Sequence, residues 1–396
     1  MTPVHHDAEG PRAPAGRDLL TELGVRRVVN AAGYYTYVGG AVMAPEVVDA
    51  WAQGAAAVVR VEELFDAVGR RIAALLGCEA ALVTGSAAAA LTVGTAACIT
   101  GTDPDRILRI PDTTGMRNEV IVQRNHRFSY DHAVRACGIR LIEVDTAAEL
   151  EAAVGDRTAM LLFLNLAEAR GRIGSAEFTA LGRKHGIPTL IDCAADVPPL
   201  KTLTDALAVG FDLVAVSGGK AIGGPQNVGL LLGRPDLVAA ARLNAAPNSD
   251  VIGRAMKGSK ENALAMLVAL ERYLARDHEA DWREWEGRVD VIVAAVNAIP
   301  GVTAEPFVPA INSHGPHVCI RWDQQRIKLT LAEAAALLRE GEPSIETFPV
   351  DIPPESRWAA IGWRDGLNLG VWALQRGEAE IVAARLAKIL AAAATR

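Results

Sequence analysis

The chain has 396 residues, half of them hydrophobic, with 40 basic and 47 acidic side chains and a formal net charge of −7. That length predicts two or three domains with a large core, and no apolar run reaches the roughly 18 residues of a membrane helix. The acidic balance, without a long basic block, points away from a nucleic-acid-binding protein and toward a small-molecule enzyme.

Residues 1–17 are polar and rich in Pro and Gly, and predict a mobile tail in which His5 and His6 are a disordered pair. Residues 18–44 form an N-terminal arm. Pro45 suits a first helical turn and opens a helix over "EVVDAWAQGAAAVV", followed by a second helix from Val61 to Leu76. "EAALVTGSAAAALTVGTAACIT" then reads as a strand over Ala80–Thr84, a Gly-Ser turn and a buried helix. From there short apolar runs alternate with helical patterns: "EVIVQ", "RLIEV", "TAMLLFLN", "PTLIDC" and "FDLVAVS" are strands. The alternation predicts βαβ units and a mostly parallel sheet buried on both faces.

A single long helix is expected over "NALAMLVALERYLARDHEADWREWEGRV", joining two domains. Beyond it "HVCIRWD" reads as a strand, "TLAEAAALLRE" as a helix and "GEAEIVAARLAKILAAA" as a closing amphipathic helix. The fold class is therefore α/β, with a large domain over 45–284 and a smaller C-terminal α+β domain over 285–396. Five scattered cysteines, Cys78, Cys98, Cys137, Cys193 and Cys319, show neither a zinc spacing nor a disulfide framework. With no basic n-region leading an apolar h-region, they predict a cytoplasmic protein with reduced thiols and no bound metal.

Ligands of open parallel sheets bind beyond the carboxyl ends of the strands, and four features fall there. Lys220 follows "DLVAVSGG" and has the glycine surroundings that let an amine reach an aldehyde. Asp192 ends "PTLID", where an unpaired acid is costly. The backbone N–H groups of Gly85, Ser86 and Ala87 open a helix and suit a phosphate. Ser217 offers a hydroxyl three residues before Lys220. Taken singly, these are a surface lysine, a strand-end aspartate, an N-cap turn and a turn serine; their order along the chain is the stronger signal.

That order resembles fold type I of the enzymes that use pyridoxal 5′-phosphate. "LGVRRVVNAAGYYTYVGGAVMAPEVVDA", "EAALVTGSAAAAL", "IDCAADVPP", "SGGKAIGGPQNVGLLLGRPDLV" and "GRAMKGSKEN" resemble the selenocysteine synthase-like group, which includes the tRNA-using selenium transferases and the D-glucosaminate-6-phosphate ammonia-lyases. The likeness is nearer the ammonia-lyase branch, because the tRNA-using branch carries an additional N-terminal RNA-binding domain. The resemblance implies Lys220 as Schiff-base lysine, Asp192 as partner of the pyridine nitrogen, and Gly85, Ser86, Ala87 and Ser217 as phosphate contacts. It implies His126 over the cofactor ring, with His132 and Phe128 as alternatives, and Asn165 at the cofactor's O3′. Arg254 and Lys257, with Lys260, match a basic anion site, and Gln226 and Tyr35 fall beside the substrate. Tyr34, Tyr35 and Tyr37 depart from the group's simpler residues, and Arg364 is the arginine nearest the place where related folds hold an α-carboxylate.

The implied function is Cα deprotonation with β-elimination on an amino acid or amino-sugar acid. Transamination, racemisation or epimerisation, and β-replacement are the alternatives; a tRNA-dependent or non-catalytic protein comes behind them. A homodimer or larger homo-oligomer is expected, with neither nucleic acid nor membrane as partner.

Overall fold

The computed structural model describes residues 17–199, 201–309, 314–350 and 364–394. The expected tail therefore lies, except for Arg17, outside the described residues. Twelve strands are present in these segments: β1 (Val28–Asn30), β2 (Ala80–Thr84), β3 (Glu119–Gln123), β4 (Arg140–Val144), β5 (Thr158–Leu164), β6 (Thr189–Asp192), β7 (Leu213–Ser217), β8 (Gly229–Gly233), β9 (Val302–Phe307), β10 (His317–Trp322), β11 (Ser344–Glu346) and β12 (Leu367–Gly370).

Seven strands build the central sheet in the order β2-β8-β7-β6-β5-β3-β4. Only β8 runs antiparallel, to both β2 and β7. Alternate residues of each strand enter different cores. Ile121, Leu161, Phe163, Ile191 and Val214 lie in one; Val120, Val122, Leu162, Leu190 and Leu213 lie in the other. This period of two on a sheet covered from both sides is why its strands read as continuous apolar runs.

The helix Ala87–Thr100 is apolar all round and buried along most of its length. Its small residues let it settle onto the sheet: a Cβ at Gly94 would come 2.8 Å from the Leu190 side chain. The helices Pro45–Ala56 and Val61–Leu76 cover the opposite face, packed against Lys260–Ala275.

The expected single long helix is two. Lys260–Ala275 ends at Arg276, and His278–Asn297 starts anew with Asp277 as N-cap, its carboxylate accepting from the Ala280 N–H at 2.9 Å. Asp277 competes for the backbone of the next turn and breaks the run. The expected boundary at 284/285 consequently falls inside the second helix, which packs on β9, β10 and the closing helix Glu378–Ala394. The smaller domain adds the antiparallel sheet β12-β10-β9. The N-terminal arm is stitched to it, since β1 pairs in parallel with β11.

Candidate functional site

The sheet register gathers the candidate groups at one edge. Thr84 of β2 and Ser217 of β7 both pair with Gly229 of β8. Asp192 at the end of β6 lies between Leu164 of β5 and Ala215 of β7. The phosphate-type turn, Ser217, Asp192 and Asn165 therefore line one edge of the sheet, on β2, β7, β6 and β5, with β8 between the first two and neighbouring strands about 5 Å apart.

The turn after β2 is shaped by close backbone contact. A Cβ on Gly229 would lie 2.3 Å from the Ser86 carbonyl carbon, and one on Gly85 would lie 2.5 Å from the Met256 carbonyl oxygen. The Ser86 hydroxyl accepts from the Ala89 N–H at 3.0 Å and the Ser86 carbonyl from the Ala90 N–H. The N–H groups of Ser86, Ala87 and Ala88 open the helix with no acceptor further back along it, so they suit an anion.

Lys220 sits in a compact loop between β7 and β8, closed by Gly218 N–H to the Val228 carbonyl at 3.0 Å and Gly224 N–H to the Gly218 carbonyl at 2.9 Å. Residues 33–41 of the N-terminal arm cover this loop. The Ala41 N–H donates to the Gly219 carbonyl at 3.1 Å, and the Gln226 amide donates to the Thr36 carbonyl at 2.7 Å. Gln226, expected beside the substrate, thus fastens the arm to the lysine loop.

Lys220 and Asp192 lie close enough to feel each other's charge. Burial lowers the proton affinity of Lys220, with Asp192 and then Asp196 acting against it. Burial also pushes the Asp192 carboxyl above its ordinary range, opposed by the Ala194 N–H at 2.8 Å and by Lys220. Asp196, four residues after Asp192, is a further buried acid. It is 4 % exposed and pushed to about 7, by burial first, with the Asn165 side chain acting against it and Asp192 reinforcing it. Its signal was present in "IDCAAD": a second acid one turn beyond a strand-end acid stays at the same sheet edge.

The remaining expectations divide. His126 is corrected: it is wholly buried, its ring stands edge-on to Phe163 at 4.3 Å, and its Nδ1 accepts from the Leu164 N–H at 3.2 Å. Burial, aided by Arg170, holds its proton affinity down at about 4. A ring sealed this way is structural and presents no face to a cofactor. Of its alternatives, Phe128 belongs to the core and His132 is exposed beside Arg135.

Arg254 and Lys257 are exposed on the segment whose backbone crosses Gly85. Lys260 is spent on the Gly54 carbonyl and Glu261. Tyr35 stacks on Tyr37 at 5.6 Å and meets Phe348 edge-on, while the Tyr34 hydroxyl donates to the Trp372 carbonyl at 3.0 Å. Arg364 lies over Phe307 and pairs with Glu305, a carboxylate it shares with Arg321.

These residues fit pyridoxal 5′-phosphate. A buried acid, a lysine whose proton affinity burial lowers, and a helix-opening turn of small residues supply the three attachments that this molecule needs: an imine nitrogen, an anion for the ring nitrogen, and N–H donors for the phosphate.

Comparison with known proteins agrees. The family model described as L-seryl-tRNA selenium transferase matches residues 28–282. D-glucosaminate-6-phosphate ammonia lyase of Salmonella typhimurium is 30% identical over 339 residues, covering 83% of this chain and 88% of that one. A 5′-C-glycyluridine monooxygenase-decarboxylase of a Streptomyces species is 33% identical over 336 residues, with 82% of each chain covered. Among solved structures, a D-glucosaminate-6-phosphate ammonia-lyase superposes with a TM-score of 0.80 at 28% identity, over 96% of this chain and all of that one. A serine palmitoyltransferase with a bound pyridoxal-phosphate adduct shares the fold, with a TM-score of 0.56 at 13% identity over 93% of this chain and 88% of that one.

Proposed function

We propose how the site works in a chain that belongs to the L-seryl-tRNA selenium transferase family: Lys220, Asp192 and the turn after β2 hold pyridoxal 5′-phosphate, the cofactor of this enzyme, for ammonia-lyase-type elimination on an anionic amino acid or amino-sugar acid. The observation that carries this reading is a buried strand-end aspartate, on the strand next to the one that leads to Lys220, at the same sheet edge as a helix start suited to an anion.

The bound cofactor supplies an electron sink for the charge left at Cα. Each other part falls to the protein. Lys220 holds the cofactor through Nζ. The Asp192 carboxylate keeps the ring nitrogen protonated, because a nearby anion favours the charged form. The N–H groups of Gly85, Ser86 and Ala87 and the Ser217 hydroxyl bind the phosphate, and Asn165 contacts O3′. Lys220 would also be the group to take the Cα proton at Nζ, and burial, which lowers its proton affinity, favours the neutral amine that this needs. Arg254 and Lys257 attract the substrate's anionic groups, and Tyr35 borders the entrance.

The likeness to the lyase over nearly the whole chain favours elimination. In this reading the enzyme is a cytoplasmic homodimer or larger homo-oligomer without a nucleic-acid partner. Among the described residues no helix is long and apolar enough to cross a membrane.

The test is a screen of amino acids and amino-sugar acids with the yellow holoenzyme, following ammonia and 2-oxo acid. Release of both supports the reading. Oxygen uptake with carbon dioxide release would place the reaction with that of the Streptomyces relative instead, and salt-sensitive tRNA binding would move it to the tRNA-using branch. Lys220→Ala is expected to remove the visible cofactor band and turnover together; a variant retaining both would end the assignment.

A further inference from the structure

The seam between the N-terminal arm and the lysine loop has no role in the reading above, on which this inference rests. A lysine side chain has many rotamers, so where Nζ can act depends on how firmly its backbone is held. Most of that hold comes from the large domain. The Gly218 N–H bonds the Val228 carbonyl, and a Cβ on Gly218 would lie 2.2 Å from the Met266 sulfur. A Cβ on Gly219 would lie 2.5 Å from both the Pro225 carbonyl oxygen and Gln226 Cα. The Lys220 carbonyl accepts from the Gly223 N–H at 2.9 Å.

The last wall is the arm. The Gly219 carbonyl accepts from the Ala41 N–H, and a Cβ on Gly40 would come 2.8 Å from that same oxygen. Gly40 has a φ of +75°, a conformation that favours glycine. The Gln226 amide adds its bond to the Thr36 carbonyl at 2.7 Å; it is exposed and so is the weaker fastening. The other end of the arm belongs to the smaller domain. The Ala31 N–H donates to the Glu346 carbonyl at 2.9 Å, and the Ala31 carbonyl accepts from the Gly370 N–H at 2.8 Å. Between the two ends, the Asn30 side chain accepts from the Ala32 and Gly33 N–H groups at 3.1 and 3.0 Å, and the Gly40 N–H donates to the Tyr35 carbonyl at 3.0 Å.

We propose that Gly40 and Gln226 are positioning residues for Lys220: through them the arm fixes the lysine loop relative to the smaller domain, so that the place of Nζ is set from that domain as well as from the sheet. Where Gly40 meets Gly219, backbone lies against backbone. With no side chain there to absorb a displacement, a shift of the arm is passed to Gly219 and so to its neighbour Lys220.

The test uses full-length holoenzyme with two variants. Gln226→Met keeps the length of the side chain and removes the donor. Gly40→Ala sets a methyl group against the Gly219 carbonyl. At saturating cofactor, turnover should fall about threefold in the first and about tenfold in the second, with KM changed less than about twofold, the mark of an interaction that matters after binding. Borohydride should bleach the visible cofactor band faster by similar factors. Turnover and bleaching within about 1.5-fold of the parent in both variants would overturn the proposal. If Gly40→Ala does not fold, Gln226→Met decides through amide hydrogen exchange in cofactor-free protein. Exchange should quicken about threefold in residues 33–41 and in 218–224 together. Quickening in the arm alone, or in neither segment, would refute the role. Absence of a visible band in the parent would sink the cofactor reading, while hydrogen exchange would still judge the arm.

Discussion

At Gly229 the ladder of β8 runs against the backbone of Ser86, with no room for a methyl group. Gly229→Ala should push the turn out of place and weaken cofactor binding by about tenfold or more, the scale of an overpacked contact; titration of the visible band measures it. Asp196 carries a second prediction at this scale. Buried, it stays protonated to about pH 7, whereas in the unfolded chain it ionises near the ordinary aspartate value of 3.8. The folded state thus binds the extra proton between those values, and its stability falls as pH rises across that window. Cofactor-free parent protein should lose more stability from pH 4 to pH 7 than Asp196→Asn does, in melts at matched ionic strength. Equal slopes would remove Asp196 as the titrating group. The positions of Asp192 and Lys220 were legible in the sequence because one ends a strand and the other follows one within three residues. His126 was misplaced because a motif position says nothing about whether a ring faces a cavity or Phe163.

Among the elements, the strands were the most legible. Runs such as "EVIVQ" and "FDLVAVS" have too few polar residues to face water, and β3 and β7 occupy them. The helix after Thr330 was readable too, and its capping box with Glu333 explains its sharp start. The break at Asp277 was missed because apolar periodicity continues through it while the cap decides the backbone. Asp277→Ala should cost about 1 kcal/mol, measured as a drop in denaturant midpoint with unchanged slope. A neutral result would mean that packing of the second helix on β9 and β10 sets the break.

Across the whole molecule, the N-terminal arm reaches two places at once. Its β1 joins β11 of the smaller domain, and its residues 33–41 lie over the lysine loop. The aromatic residues in this arm are part of that bridge. Tyr34 bonds Trp372, and Tyr35 meets Phe348. Tyr34→Phe keeps the ring but leaves the Trp372 carbonyl without its donor. It should cost about 1 kcal/mol and raise proteolytic cleavage within the arm before global unfolding. Unchanged protease resistance would show that ring packing alone secures the bridge.

The sequence by itself determined the alternation of strands and helices and the mostly parallel sheet, and it placed Asp192 at a strand end with Lys220 in the loop after another, because hydrophobic period and strand-end position are local properties of a chain. Only the tertiary structure decided that Asp196 is buried, that His126 is sealed, that Lys260 and Arg364 meet Glu261 and Glu305, and that Gln226 bonds the Thr36 carbonyl. Those outcomes depend on which groups meet from distant segments, and desolvation, which sets the behaviour of each, exists only once the chain has closed around them.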